Sequence, residues 1–149
     1  MIIQKAKRND LNAYLKLRKE TLKEYYKIKG KNILISNEKI KKEFNSLLNS
    51  PKHLLLIAKE DNQILGYLIG TILKNVWQRT GYLDDVFVSK EFRKKGIGSD
   101  LIKEFIKFLR NKDIKKFRLG VDIRNKKAIL LYKRLGFKIT QYEMSKEIR

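Results

Sequence analysis

Apolar residues in the first third of the chain recur at helical spacing in two separate stretches. Residues 9–27 and 36–50 each repeat an apolar residue every three or four positions, which is typical of amphipathic helices, and Pro51 ends the second one. Residues 1–6 predict a short strand before them, and residues 27–35 predict a loop between them. The residues expected to face the core are Leu11, Leu15, Leu22, Tyr25, Ile40, Phe44, Leu47 and Leu48.

The pattern changes after this point to short, densely apolar runs that predict strands. Residues 53–60 and 63–73 are two such runs joined by Asp-Asn, a pair suited to a hairpin turn, and residues 81–89 are a third. A helix, a strand, a second helix and then one long or two short strands are predicted to follow. These last elements cover residues 96–110, 115–123, 125–136 and 137–148. The order of elements predicts one α/β or α+β domain over residues 1–149.

Composition excludes several classes of chemistry. Hydrophobic residues make up 42% of the 149 positions, but no apolar run approaches the ~20 residues that span a bilayer, so we expect a globular protein without a membrane partner. Cysteine is absent and His53 is the only histidine, which excludes thiol and Ser-His-Asp catalysis and multi-histidine zinc sites. We therefore expect no metal. The first ten residues lack a signal-peptide pattern, so we expect a cytoplasmic protein.

Charge is strongly unbalanced, with 36 Lys and Arg against 16 Asp and Glu, a formal net charge of +20. Such an excess indicates either a polyanionic partner, for example nucleic acid or a phosphate-rich cofactor, or a lysine-rich solvated surface. Because the lysines are scattered, charge alone does not decide between these. A nucleic-acid-associated protein is therefore one alternative function, although the chain shows no recognition helix or stacking-aromatic motif.

Residues 91–102, EFRKKGIGSDLI, place three cations and two glycines where a helix is predicted to begin. The first backbone N–H groups of a helix have no partner within the helix, and glycine lets a phosphate approach them closely. The segment is therefore interpreted as a diphosphate-binding loop, the alternative being a glycine-containing turn with solvated lysines. It matches neither the GxxxxGK[ST] nor the GxGxxG pattern, which disfavours nucleotide hydrolysis and hydride transfer.

The segment VFVSKEFRKKGIGSDLI resembles the acetyl-CoA-binding motif of the GNAT N-acetyltransferase superfamily, in which a strand and a loop lead through [Q/R]-x-x-G-x-[G/A] into a helix. Downstream, RLGVDIRNKKAILLYKRLGFK resembles the second half of the family pattern. The resemblance covers roughly residues 64–138. It implies a GNAT fold, with a central mixed, mostly antiparallel sheet of six or seven strands and about four flanking helices.

The resemblance also implies which residues hold acetyl-CoA as cosubstrate. The main chain of the strand before the loop would pair with the pantetheine arm, and the loop and helix start would bind the diphosphate. Isolated surface lysines such as Lys94 and Lys95 are more often solvated than bound to a ligand. Asn125 would bond the pantetheine region, and Tyr132 would lie near the sulfur. The implied cofactor-binding residues are Val86, Phe87, Val88, Arg93, Lys94, Lys95, Gly96, Ile97, Gly98, Ser99, Asn125 and Tyr132.

The chemistry implied is direct attack of a primary amine on the thioester in a ternary complex. Tyr132 is the candidate acid for the leaving sulfur, and the N–H near Val88 is the candidate donor to the carbonyl oxygen. Asp84 and Asp85 are the candidate carboxylates that accept the proton of the amine through water. Successive strand residues face opposite sides, so only one should face the acceptor unless the strand bulges. The pair is otherwise a solvated one or a partner for nearby lysines.

The acceptor itself is not identified by the sequence. It is expected to be a small molecule such as a polyamine, or an amine of a peptide or protein, and Tyr25, Tyr26 and Trp77 are candidates to line its pocket. Nucleic acid is not required, and the enzyme is expected to be a monomer or homodimer. The alternatives are the nucleic-acid-associated protein above and a GNAT-like module that binds acyl-CoA without catalysis. Only about a dozen residues follow Gly136-Phe137, so any terminal strand pair must be short or merged.

Overall fold

A computed structural model describes all residues from 1 to 149. The strands are β1 (Ile2–Lys5), β2 (His53–Glu60), β3 (Gln63–Lys74), β4 (Arg79–Val88) and β5 (Phe117–Leu119). The helices are α1 (Leu11–Ile28), α2 (Asn37–Asn49), α3 (Ile97–Asn111) and α4 (Lys126–Arg134), with two short 3-10 turns at Arg8–Asp10 and Lys90–Phe92. Mixed α/β architecture with four helices is confirmed.

The five strands form one sheet in the order β1-β2-β3-β4-β5. The first four run antiparallel to their neighbours, whereas β5 is parallel to β4, which makes the sheet mixed and mostly antiparallel. The parallel pair needs a crossover, and α3 provides it. The sheet thus has five strands where six or seven were expected.

The missing strands are those expected from residues 137–148, which have no regular structure beyond the end of α4. Ile139, Tyr142, Met144 and Ile148 are between 65% and 94% exposed, so their alternation covers no apolar surface of this chain. The neighbouring strand β5 is only three residues long and offers a short edge for pairing. Alternation without a partner strand or an apolar surface does not stabilise a strand.

The helices cover the two faces of the sheet and divide the core in two. One cluster lies between the sheet and α1 and α2, and includes Tyr14, Phe44 and Tyr67. The other lies between the sheet and α3, around Leu101 and Phe105, and Tyr132 of α4 packs against its edge. Each strand therefore has an α1/α2 face and an α3/α4 face, and side chains alternate between them.

The buried face of α1 differs from the predicted one. Tyr14, Leu17 and Thr21 are the buried positions, whereas Leu11, Leu15 and Leu22 are only partly buried and Tyr25 is exposed. Arg18 of the same helix donates hydrogen bonds to Tyr67 of β3 and Asp85 of β4. None of the helices combines the length and apolar content needed to cross a membrane.

Candidate active site

The part of β4 after Leu83 has one edge without a neighbouring strand. On one side β4 pairs with β3 as far as Val88, but on the other it meets β5 only over Gly81–Leu83. The N–H of Ser89 donates to Leu65 of β3 at 2.9 Å, so by alternation the main-chain groups of Val86 and Val88 point to the unpaired edge. This edge suits the pantetheine arm expected to pair there. The main chain of Phe87 turns towards β3 instead.

A β-bulge in β4 brings both candidate carboxylates to the same face. Ile69 pairs with Asp85 but Gly70 pairs with Leu83, which leaves Asp84 as the extra residue. Asp84 accepts a hydrogen bond from Thr71, and Asp85 accepts one from Tyr67 at 3.0 Å. Tyr67 and Thr71 both project from the α1/α2 face of β3. Without a bulge, only one of two successive strand residues would face α1 and α2. Because of the bulge, both aspartates do.

The two carboxylates differ in their partners. Asp85 also accepts a hydrogen bond from Arg18 Nη1 of α1 at 2.7 Å, and its side chain is 32% exposed. Asp84 is an exposed residue, and Thr71 is the one side chain that bonds to its carboxylate. Asp85 is therefore held in an internal ion pair, whereas Asp84 has oxygen lone pairs left for a ligand or water.

Arg18 joins Asp85 to a polar cluster that the sequence did not indicate. Its Nη2 lies 2.8 Å from Glu43 of α2, and its Nη1 donates to the Tyr67 hydroxyl at 2.8 Å. The Tyr14 hydroxyl donates to Glu43 at 3.4 Å. Burial, and next the charge of Asp85, raise the pKa of Tyr67 well above its ordinary value, so its hydroxyl remains protonated. The only signal in the sequence is an arginine on the inward side of a predicted helix.

The loop from β4 to α3 has the conformation expected of an anion-binding segment. Gly96 precedes the first residue of α3 with φ of 80°, a left-handed conformation that suits glycine. The first helical bond is made by Asp100 N–H to the Gly96 carbonyl, so the N–H groups of Ile97, Gly98 and Ser99 have no backbone acceptor. The buried side chain of Ile97 fixes where the helix begins.

Gly98 leaves room above these N–H groups. A Cβ at this position would have only Val88 Cγ2 within 4 Å, at 3.7 Å, so nothing in the protein itself requires glycine there. The surface over the helix start is therefore bare backbone, and the unpaired edge of β4 leads to it. This combination fits the diphosphate and pantetheine parts of acetyl-CoA.

The cations of the loop have different environments. Arg93 donates from Nε to the Val88 carbonyl at 2.9 Å and from Nη2 to Glu24 of α1 at 2.8 Å. Lys94 and Lys95 are exposed and have no carboxylate partner, and Lys94 has a positive φ of 64°. Arg93 thus anchors the loop, whereas the two lysines remain available to a phosphate.

Asn125 caps the start of α4 and Tyr132 lies on the helix, as predicted. The Asn125 carbonyl oxygen caps the helix by accepting from Ala128 N–H at 3.1 Å, which leaves its amide NH₂ for a ligand. Tyr132 is half-buried, with its ring 5.8 Å from that of Phe137. Burial, and next the negative charge of Asp85, raise the pKa of Tyr132, so the phenol stays protonated at neutral pH.

Four further aromatic or histidine residues were considered in the sequence: Trp77, Tyr25, Tyr26 and His53. Trp77 is 90% exposed in the turn between β3 and β4, roughly 15–20 Å along the strand from Asp84 at ~3.4 Å per residue. Tyr25 and Tyr26 are in edge-to-face contact near the end of α1. His53 lies 2.8 Å from the Ser50 hydroxyl, and no group of three residues is placed to hold a metal ion.

Comparison with known proteins gives the family. The family model described as "Acetyltransferase (GNAT) family" matches residues 11–137. Thialysine N-epsilon-acetyltransferase of Sus scrofa is 32% identical over 145 residues, which cover 91% of this chain and 83% of that protein. An N-alpha-acetyltransferase of Saccharolobus solfataricus is 32% identical over 91 residues, covering 55% of this chain and 54% of the relative.

Solved structures agree on the fold. A tetramutant of the BH1408 protein from Bacillus halodurans superimposes with a TM-score of 0.86 at 19% identity, covering 99% of this chain and 100% of that one. The aminoglycoside N-acetyltransferase AAC(6')-Iy in complex with CoA superimposes with a TM-score of 0.79 at 18% identity, with 99% coverage of both chains. The chain belongs to the acetyltransferase (GNAT) family and is an N-acetyltransferase.

Proposed function

We propose that this protein transfers the acetyl group of acetyl-CoA to a primary amine of a small, cationic, lysine-like or polyamine acceptor, by direct attack in a ternary complex. One domain spanning residues 1–149 would carry the activity. The observation that supports this acceptor class is the bulge in β4, which turns Asp84, a carboxylate with Thr71 as its one side-chain partner, towards α1 and α2 beside the unpaired strand edge.

Cofactor binding is assigned to the bare backbone of the site. In this proposal the main chain of Val86 binds the pantetheine arm, since the Val88 carbonyl already accepts from Arg93, and the N–H groups of Ile97, Gly98 and Ser99 bind the diphosphate. Acetyl-CoA supplies the activated acetyl group. The N–H of Val88 faces the same edge and is the donor to the acetyl carbonyl oxygen, where negative charge develops during attack.

Proton transfer is divided between the two faces of the sheet. An alkylamine with a pKa near ~10.4 must lose a proton before it attacks. Asp84 accepts this proton through water, because Asp85 is already bonded to Arg18 and Tyr67. Tyr132, which packs at the α3/α4 side, is the acid that protonates the leaving sulfur. Its raised pKa keeps the required proton on the phenol.

The net charge of the protein makes a local carboxylate necessary for any amine acceptor. A protein with a net charge of +20 repels an ammonium group at long range, so binding one requires a local carboxylate. Asp84 provides it beside the reacting edge. The similarity to the thialysine acetyltransferase is consistent with an acceptor that carries a side-chain amine.

The test is turnover, followed as free thiol, across an amine panel from about pH 6.5 to 9.5. The panel contains a polyamine, a lysine-like amine and an anionic amino sugar. Asp84→Asn should raise KM for the cationic amines by roughly 10- to 100-fold, the effect of losing a hydrogen bond to a charged group, and should shift the pH–rate profile upward.

The matched control is Asp113→Asn. Asp113 lies in the turn before β5, far from the site, and its side chain is 85% exposed, so the substitution makes the same change in net charge. If Asp84→Asn and Asp113→Asn both match wild type on every amine, the role of Asp84 is wrong. If the anionic amino sugar is the best acceptor, the proposed acceptor class is wrong.

A further inference from the structure

Two carboxylates of α1, one helical turn apart, hold the loop that leads into α3. Glu20 accepts hydrogen bonds from the Ser89 hydroxyl, with 3.2 Å to Oε2, and from the Lys90 N–H at 3.2 Å. Glu24 accepts from Arg93 at 2.8 Å, and its carboxylate lies 3.9 Å from Lys90 Nζ. Residues 89–93, in the loop between β4 and α3, are therefore bonded to α1. The same helix carries Arg18, which forms the ion pair with Asp85.

Arg93 links Glu24 to the end of β4. Its Nε donates to the carbonyl of Val88 at 2.9 Å, and its guanidinium lies 5.1 Å from the Phe87 ring centre. The planar guanidinium makes the two hydrogen bonds in different directions, which a lysine ammonium at the same place does not reproduce. Hydrogen bonds therefore connect Glu24 of α1 through Arg93 to Val88. The N–H of Val88 faces the edge of β4 that has no neighbouring strand.

The charge of Glu24 has the wrong sign for a residue that only surrounds a phosphate site. A carboxylate near the diphosphate of acetyl-CoA repels it. Glu24 instead pairs with Arg93 and Lys90, and leaves Lys94 and Lys95 as the cations free to meet the phosphates. If Glu24 acted only by its charge, removing it would tighten acetyl-CoA binding. If Glu24 anchors the loop, removing it should weaken acetyl-CoA binding.

We propose that Glu24, supported by Glu20, is a positioning residue that holds the 89–96 loop in its phosphate-binding conformation through Arg93. This inference rests on the proposed cofactor site. Its consequence is that part of the affinity for acetyl-CoA is determined by the helix on the acceptor side of the sheet, and not by the loop alone.

The experiment measures acetyl-CoA binding by calorimetry for wild type, Glu24→Ala and Glu91→Ala. Glu91 is an exposed carboxylate of the same loop, and the neighbouring Lys90 and Arg93 pair with Glu24 instead. Glu24→Ala should weaken binding by about 2- to 5-fold, since a partly exposed anchoring ion pair is lost. Glu91→Ala should leave binding unchanged or slightly tighter. If both variants bind acetyl-CoA equally well or more tightly than wild type, the positioning role is wrong.

A second measurement needs no cofactor. Amide hydrogen exchange of residues 89–96 in the free protein should be faster in Glu24→Ala than in wild type or Glu91→Ala, while exchange in β2 and β3 is unchanged. Unchanged loop exchange overturns the inference even where the wild type binds acetyl-CoA, and failure of the wild type to bind overturns the cofactor site itself. In the background of Arg93→Ala, which removes the partner at 2.8 Å, Glu24→Ala should have a smaller further effect on both readouts than it has in wild type.

Discussion

Replacing Gly98 by valine tests the cofactor site. A Cβ here has only ordinary contact with Val88 at 3.7 Å, and the position has no positive φ. Valine is also a better helix former than glycine, by a few tenths of a kcal/mol. The free energy of unfolding should therefore stay within ~1 kcal/mol of wild type.

Acetyl-CoA affinity should instead fall severely. A side chain over the helix start keeps the diphosphate from the N–H groups of Gly98 and Ser99, which have no backbone acceptor. Hydrogen bonds to charged groups contribute about 1.5–3 kcal/mol each, so losing two costs roughly 3–6 kcal/mol, or about 10²- to 10⁴-fold in Kd. Calorimetry measures the affinity, and chemical denaturation of the same samples measures the stability.

The matched control is Gly70→Ala, a glycine in the core. Its Cβ would collide with the ring of Phe105, which is fully buried, so this variant should lose stability. The pair separates a loss of binding from a loss of fold. Equal affinity of wild type and Gly98→Val for acetyl-CoA would refute the assignment of the diphosphate to this helix start.

The remaining predictions concern stability and catalysis. Gly70→Ala should lower the free energy of unfolding by about 1–3 kcal/mol, the usual cost of overpacking, measured by urea denaturation; an unchanged midpoint contradicts this packing. Tyr132→Phe should retain acetyl-CoA binding but slow single-turnover thiol release by ~10²-fold or more, as for loss of a general acid. Because the pKa of Tyr132 is raised, wild-type activity should rise with pH up to about 9.5 without a fall from phenol ionisation; a decline that Tyr132→Phe abolishes contradicts the raised pKa.

Features set by neighbouring residues were predictable from the sequence. The loop before α3 is specified by Gly96, which takes a left-handed conformation, and by Ile97, which anchors the helix in the core. The starts of α2 and α4 follow from Ser36 and Asn125, whose side chains accept N–H groups three residues ahead. Such features depend on local backbone geometry and apolar spacing, which the sequence contains directly.

Contacts between distant parts of the chain were not predictable in this way. Arg18 and Asp85 are 67 residues apart and Glu24 and Arg93 are 69 apart, and no local pattern marks either pair. The bulge that exposes Asp84 arises from the register between β3 and β4, which is a property of two strands together. The sequence marked both aspartates as candidates, but only the fold distinguishes their partners.

The C-terminal residues show the limit of apolar alternation as a signal. Residues 137–148 alternate only in two short runs, at Phe137–Ile139 and at Tyr142–Met144, and no strand forms although strands were predicted there; Met144 and Ile148 are more than 90% exposed. By contrast, β4 has an edge without a neighbouring strand at Val86 and Val88, because β5 pairs with it only as far as Leu83. The amino-acid sequence thus determined the helices, the glycine-containing loop before α3 and the family, because these depend on local chemistry. Tertiary structure decided which edge of β4 has no neighbouring strand and that Asp85, but not Asp84, is paired with Arg18. Both depend on contacts with residues that are distant in the sequence.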